Sequence, residues 1–395
     1  MVILNKIIEN ANKNFMNTYN RYNIVLEKGE GVYLFDETGK KYLDFGAGIA
    51  VCSLGYGNKK YNDALKKQID NLMHTSNLFY NKPSVEAAMK FNNASKMDKV
   101  FFTNSGTEAI EGAIKIARKY YYNKTGSGDG EIIAMKNSFH GRSMGALSVT
   151  GNEKYQKPFG QLIGNIKFAE YNNAQSVKKL INNKTCAVIM ETLQGEGGIY
   201  EANEEFIKEV RKLCDDNDML LILDEVQCGM GRTGKMFAYE NYNVLPDIIA
   251  CAKGLGCGIP VGAFAARGKA SHVLVPGDHG STYGFNPLAL TAVNTVFDLF
   301  KENNILENVV EVGNYLKEKL NHLKNRHNSI VDCRGIGLMQ GLEFNCNVNN
   351  IILKAQEKGL IIISAKPNII RFVPPLIINK NHVDKMIFIL DKCIE

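Results

Sequence analysis

A chain of 395 residues, 45% hydrophobic and 22% charged, exceeds one ordinary domain and carries enough apolar residues for a large core in two lobes. Its net charge of +6 is spread with nearly matching acids and no basic block, which argues against a nucleic-acid arm. Nine cysteines without C-x-x-C pairs or histidines at metal spacing argue against both a disulfide framework and a zinc site. No apolar run reaches the length of a membrane span and the first residues, MVILNKIIENANKNF, carry no leader pattern, so a cytoplasmic protein without membrane contact is expected.

Residues 24–45, IVLEKGEGVYLFDETGKKYLDF, read as short strands of a small antiparallel lobe, split by Gly29, Gly31 and a DETGK turn. The glycine-rich segment 46–57 crosses to a helix over 60–73, where Tyr61, Leu65, Ile69 and Leu72 recur at helical spacing. HTSNLFY, 74–80, is too polar for a core strand and too aromatic for an idle linker, which marks it as lining a site. His74 alone reads as a hydrogen-bonded structural histidine.

KVFFTNSGTEAIEGAIKIARKYY is an apolar strand that turns through Ser105, Gly106 and Thr107 into a helix. The amides and dipole of that helix start suit a phosphate, with Gly106 permitting close approach and two hydroxyls at hand. Ser105 and Glu108 equally form a capping box that needs no ligand. The strand EIIAMK leads to NSFHGRSMG, where Phe139 and His140 are placed to meet a flat ring. Arg142 there offers a planar fork for a carboxylate, a solvated loop arginine being the alternative. CAVIMETLQGEGG is a strand ending in a loop with Glu191 and Glu196, and a helix follows over 204–216.

LLILDEVQ, 220–227, opens with four apolar residues in a row, as in a strand covered on both faces. Such a strand delivers Asp224 to the ligand-binding edge of an open α/β sheet. PDIIACAK repeats the design with Lys253. An amine that forms a Schiff base and an acid that keeps a pyridine nitrogen protonated are what pyridoxal phosphate chemistry needs. On these two residues alone, two solvated charges at strand ends are the simpler reading. The alternation from about Val100 to Ala266 calls for an α/β fold with a mostly parallel sheet and helices on both faces. GLGCG lacks dinucleotide-loop spacing, and Pro287 opens a helix towards Phe300. From about 301 a second, α+β lobe follows, in which Arg371, set among apolar residues, requires an acid or a carboxylate ligand.

In their joint order, YNRYNIVLEKGEGVYLFDETGKKYLDFGAGIAV, HTSNLFY, FFTNSGTEA, FHGRS, QGEGG, DEVQCGMGRTGKMFAYE, AKGLG, HGSTYG and RFVPPL cover nearly the whole chain. Together they resemble the class III (subgroup II) aminotransferases of fold type I, most closely the acetylornithine aminotransferases. The resemblance implies a large domain over 57–300 that binds pyridoxal 5'-phosphate, and a small domain made of 1–56 and 301–395. By the same resemblance Lys253 looks like the Schiff-base lysine and proton-moving base, Asp224 the partner of the pyridine nitrogen, and Gln227 the contact of the ring hydroxyl. Phe139 would stack on the ring beside His140, and Ser105, Gly106 and Thr107 match the phosphate turn. Thr282 matches a residue that reaches the phosphate of the other subunit, which implies a homodimer with shared sites. Arg371 resembles the arginine for the substrate α-carboxylate, with Glu196 its acid, and Arg142 the one for the distal carboxylate of 2-oxoglutarate; Ser281 joins the substrate-binding set.

The implied activity moves the terminal amino group of N-acetylornithine to 2-oxoglutarate, in arginine biosynthesis, by ping-pong kinetics. Ile49 stands where the ornithine aminotransferases place a tyrosine, and an apolar residue there suits N-acetylornithine or 4-aminobutyrate better than a second ammonium. Succinylornithine, ornithine and other ω-amines remain alternatives, and a non-catalytic ligand-binding protein of this fold is the reading from another class. The chain departs from the family at Thr192, Ile110, Tyr56 and Asn58, and at Cys257 and Phe285, where glycine is usual. Phe285 is expected to narrow the site or alter the dimer contact.

Overall fold

The computed structural model describes residues 2–394. Its centre is a seven-stranded sheet in the spatial order Lys99–Thr103, Gly262–Ala266, Ile248–Cys251, Leu220–Asp224, Thr185–Glu191, Glu131–Met135, Ile166–Ala169. Only Gly262–Ala266 runs antiparallel to its neighbours; the other pairings are parallel. Every residue of Leu220–Asp224 and Thr185–Glu191 is buried, which explains why these strands read as unbroken apolar runs.

Successive side chains point to opposite faces, and the core divides accordingly. Leu220, Ile222, Ala187, Ile189 and Ile248 pack with Ala109, Ile110 and Ala113 of the helix Gly106–Thr125. Leu221, Leu223, Val188, Met190 and Ile249 pack with Phe206, Ile207 and Val210 of Glu204–Asp216, which begins and ends where the sequence places it. Ile110 is thus a core residue of this chain. Close packing is strict on the first face: a Cβ at Gly112 would stand 2.2 Å from the Phe264 ring.

Two smaller sheets flank this one. Leu26–Glu30, Tyr33–Asp36 and Lys41–Asp44 are antiparallel, and Leu360–Ile361 joins them parallel to Lys41–Asp44, so both ends of the chain share a sheet. The second runs Ile330–Ile336, Met339–Phe344, Ile369–Phe372, Ile363–Lys366, all antiparallel. Not anticipated from the sequence is the helix Lys82–Ser95, started by the Asn81 side chain, which accepts the Ser84 amide. Among the described residues no helix is long and apolar enough to cross a membrane, and no cluster of side chains has the makings of a metal site.

The two positions that replace a family glycine keep a left-handed backbone, with φ +46° at Cys257 and +58° at Phe285. A bulky residue accepts that conformation only where packing compensates. The Phe285 ring meets Phe101 and Phe102 edge-on at 5.0 and 5.6 Å. It therefore points into the sheet and does not line the cavity described below, so it does not narrow the site. Both truncations lose this packing, but alanine also keeps the backbone strain. Phe285→Gly should be more stable than Phe285→Ala by about 1 kcal/mol in chemical denaturation; equal stabilities would contradict the strain account.

Candidate active site

The parallel strands end on one edge of the central sheet, and a cavity of about 430 Å³ lies there. The ends of five of those strands and the segments after them supply most of its wall: Asn104 to Thr107, Phe139 to Arg142, Glu191, Asp224 with Val226 to Cys228, and Ala252 with Lys253. The register Glu191↔Asp224↔Ala250 puts the two acids and the segment before Lys253 side by side.

At one end, Ser105 caps the helix Gly106–Thr125 by accepting the Glu108 amide at 3.2 Å. The capping box is incomplete, however. Glu108 reaches past Ser105 to the backbone and side-chain amides of Asn104, at 2.8 and 2.9 Å. Among the described residues the amides of Gly106 and Thr107 have no acceptor, and a Cβ at Gly106 would stand 2.8 Å from Val226 Cγ1. A helix start with free amides and no room for a side chain has the chemistry of a phosphate seat.

Deeper in, buried Asp224 is held at both oxygens, by the Val226 amide at 2.9 Å and by His140 Nδ1 at 2.7 Å. That contact assigns the proton to Nδ1 of His140, whose Nε2 is buried without a partner. Glu191 is pushed well above the usual carboxylate range by burial and then by the neighbouring Asp224 charge, which favours its protonated form. Asp224, held at both oxygens, is the fixed carboxyl group of this wall.

Lys253 has φ +47° and lines the cavity, and among the described residues no hydrogen bond or ion pair engages its amine. Burial lowers its pKa to about 8, against the pull of the Glu196 carboxylate, and the Arg371 cation adds to the lowering. A lysine so placed carries far more free, nucleophilic amine near neutral pH than an ordinary lysine. Reductive labelling of Lys253 by an aldehyde in cofactor-free protein should accelerate about tenfold per pH unit up to a plateau above pH ~8. An acceleration that continued through pH 10 would show an ordinary lysine.

Two arginines flank the amine differently. Buried Arg371 donates Nη1 to Glu196 Oε1 at 2.5 Å and to Gln227 Oε1 at 3.0 Å, just behind the cavity wall. Burial pushes Glu196 up, but the Arg371 charge and hydrogen bond outweigh it and hold the acid below its usual range. Arg142 lines the cavity without an acidic partner, its guanidinium 3.7 Å from the centre of the Tyr155 ring and 5.5 Å from that of Phe139.

Of the residues singled out from the sequence, Ser105, Gly106, Thr107, Phe139, His140, Arg142, Asp224, Gln227 and Lys253 line this one cavity. Glu196 and Arg371 adjoin it through Gln227. Ser281 touches its edge by accepting from Asn104 Nδ2 at 3.2 Å, while Thr282 is exposed and does not line it. Nor does the segment 74–80: Asn77 donates to the Ser281 carbonyl and the His74 ring tilts against Tyr283, with Tyr80 99% exposed. Ile49 is 45% exposed on a left-handed turn, and its neighbour Val51 reaches the cavity instead. Sequence reasoning missed Tyr155, Asn104 and the burial of Glu191. Only Glu191, at the end of an apolar run, left a signal of its kind there.

Comparison with known proteins agrees with this geometry. The Aminotransferase class-III family matches residues 15–394. The chain is 49% identical over 380 residues to an acetylornithine aminotransferase of Caldanaerobacter subterraneus subsp. tengcongensis, covering 96% of each chain. It is 44% identical to one of Methanocaldococcus jannaschii, covering 98% of this chain and 97% of that protein. Among solved structures, the ornithine aminotransferase of Toxoplasma gondii superposes with a TM-score of 0.95 at 27% identity, covering 99% and 94% of the two chains. The acetylornithine aminotransferase of Elizabethkingia anophelis gives 0.89 at 31% identity, covering 99% and 98%. An unpaired lysine, a fixed carboxylate and an empty-handed helix start at the sheet edge are the parts that pyridoxal phosphate requires, and the chain belongs to the class III aminotransferases, pyridoxal-phosphate-dependent transaminases of fold type I.

Proposed function

We propose that this transaminase takes the terminal amino group of N-acetylornithine and passes it to 2-oxoglutarate, giving N-acetylglutamate 5-semialdehyde and glutamate. The observation that carries the reading is the pair of arginines beside Lys253, one masked by Glu196 and one open. A donor whose reacting end is a plain amine leaves Arg371 paired with Glu196 and rests its carboxylate on Arg142. A dicarboxylate 2-oxo acid uses both cations, its α-carboxylate displacing Glu196 from Arg371. Planar forks suit both tasks.

Bound in this cavity, pyridoxal phosphate supplies an aldehyde carbon that accepts the amino group and a ring that withdraws the electron pair of the breaking C–H bond. Asp224, fixed by His140 and the Val226 amide, would keep the ring nitrogen protonated. Lys253, whose amine lines the cavity, would take the proton from the substrate carbon and return it, as a base with a pKa near its task. Gly106 and Thr107 would hold the phosphate with their free amides, and Phe139 would cover the ring.

Sequence likeness favours the acetylated donor: curated relatives named acetylornithine aminotransferase reach 49% identity, and among solved structures two of that name stand at 31 and 32%, against 27 to 30% for ornithine aminotransferases of Toxoplasma and Plasmodium. Steady-state rates with N-acetylornithine, succinylornithine, ornithine and 4-aminobutyrate, each with 2-oxoglutarate, test it. The highest kcat/KM is expected for N-acetylornithine, and a preference for ornithine would overturn the choice. We also propose a cytoplasmic homodimer whose second copy covers Phe79, Tyr80, Thr282 and Tyr283; a fully active monomer in sedimentation would contradict this. The proposed division at residues 56 and 300 rests on the sheet shared by both chain ends.

A further inference from the structure

Arg334, Gly341 and Arg371 are register partners on three adjacent strands, Arg334↔Gly341↔Arg371. Residues opposed in this way share one face of a sheet. That face receives the loop carrying Glu196. At one end Arg371 grips Glu196 at 2.5 Å. At the other, Arg334 Nε donates to the Gly198 carbonyl at 2.8 Å. Between them the missing side chain of Gly341 leaves a notch for Ile199, which is fully buried at φ +60°; a Cβ on Gly341 would stand 3.1 Å from Ile199 Cγ1.

Arg334 is itself held rigidly. Its Nη1 donates to Asp332 at 2.7 Å and Glu343 at 2.6 Å, and its guanidinium lies 3.9 Å from the centre of the Tyr200 ring. The Gly335 amide donates to Glu201 Oε1 at 2.8 Å, a further tie from the same strand to the end of the loop. The four contacts to Gly198, Ile199, Tyr200 and Glu201 do not involve Glu196. They persist when its carboxylate leaves Arg371.

We infer that Arg334 is a positioning residue for transamination: with the Gly341 notch it fixes the backbone of the Glu196 loop, so that only the Glu196 side chain exchanges when a substrate carboxylate arrives at Arg371. The inference rests on the reading that Arg371 receives that carboxylate. A loosened loop masks Arg371 poorly. The donor's own carboxylate then binds there unproductively, while glutamate, which needs Arg371 open, is spared.

The test uses holoenzyme and the ratio of single-turnover kcat/KM for N-acetylornithine to that for glutamate. Arg334→Lys keeps a cation beside Asp332 and Glu343 but loses the fork that reaches Gly198. It should lower the ratio about tenfold, the size of one charge-assisted hydrogen bond, with the glutamate value nearly unchanged. Glu196→Ala should lower it further, and Arg334→Lys should add nothing on that background. Gly341→Ala, which crowds Ile199 and leaves Arg334 intact, should shift the ratio in the same direction and decides the matter if Arg334→Lys folds poorly. Equal losses in both half reactions, or an undiminished Arg334→Lys effect on the Glu196→Ala background, would overturn the inference. If Glu196→Ala leaves the ratio unchanged, the carboxylate reading of Arg371 falls and this inference falls with it.

Discussion

Lys253→Met should lower turnover by about 10³-fold or more while the melting temperature of the cofactor-free protein holds or rises. The two halves of this result have separate causes. Among the described residues no hydrogen bond or ion pair engages the amine, so no folded-state partner is orphaned by its removal. Its pKa, lowered to about 8 chiefly by burial, records that the fold works against the charged form there. An unbranched apolar side chain of similar length removes that conflict. Turnover falls because no other amine lines the cavity to take the proton from the substrate carbon. Stopped-flow turnover and a thermal melt measure the two halves, and a melting temperature lowered together with activity would make Lys253 a structural residue.

Asp224→Asn is expected to cost about 10²- to 10³-fold in turnover, the scale of losing one preorganised electrostatic contact at a reacting centre. The shape is conserved: the amide oxygen still accepts from the Val226 amide. The charge is not, and a neutral amide no longer keeps a proton on the ring nitrogen. With the amide oxygen on Val226, the amide nitrogen faces His140 Nδ1 as a competing donor. Glu191 offers no substitute anion, since burial and then the Asp224 charge hold it above the usual range; with that charge removed, Glu191 is expected to titrate lower. A variant with parental turnover would remove Asp224 from the chemistry.

The legible parts of this fold were those written in local pattern. Leu220–Asp224 and Ile248–Cys251 are buried throughout, and their apolar runs located the strands, the sheet edge and so Asp224 and Lys253. Arg371 among apolar neighbours announced the need for an acid, and Glu196 stands at 2.5 Å from it. What escaped depends on pairings between distant segments. The contact of His140 with Asp224 spans 84 residues, and Tyr155 supports Arg142 from outside every motif. The row Arg334, Gly341, Arg371 exists only through strand register. Tertiary context also overrode local rules. Cys257 and Phe285 sit at left-handed φ where glycine is the expected residue, and Ile49 lies on a turn whose neighbours Ala47 and Ala50 share its positive φ. Buried Asp44 holds that turn, accepting the Gly46 and Ala47 amides at 2.8 and 3.0 Å, a contact no spacing rule foretold.

The most direct test of the central claim is the visible absorbance of the yellow holoenzyme, titrated with N-acetylornithine in the absence of any oxo acid and then with 2-oxoglutarate. The expected result is bleaching complete at about one equivalent of donor per subunit, reversed in full by 2-oxoglutarate, because a ping-pong transaminase holds the amino group between its two substrates. A spectrum untouched by N-acetylornithine but bleached by ornithine would contradict the donor assignment. A protein that cannot be loaded with pyridoxal phosphate at all would contradict the account of Lys253 and Asp224 itself.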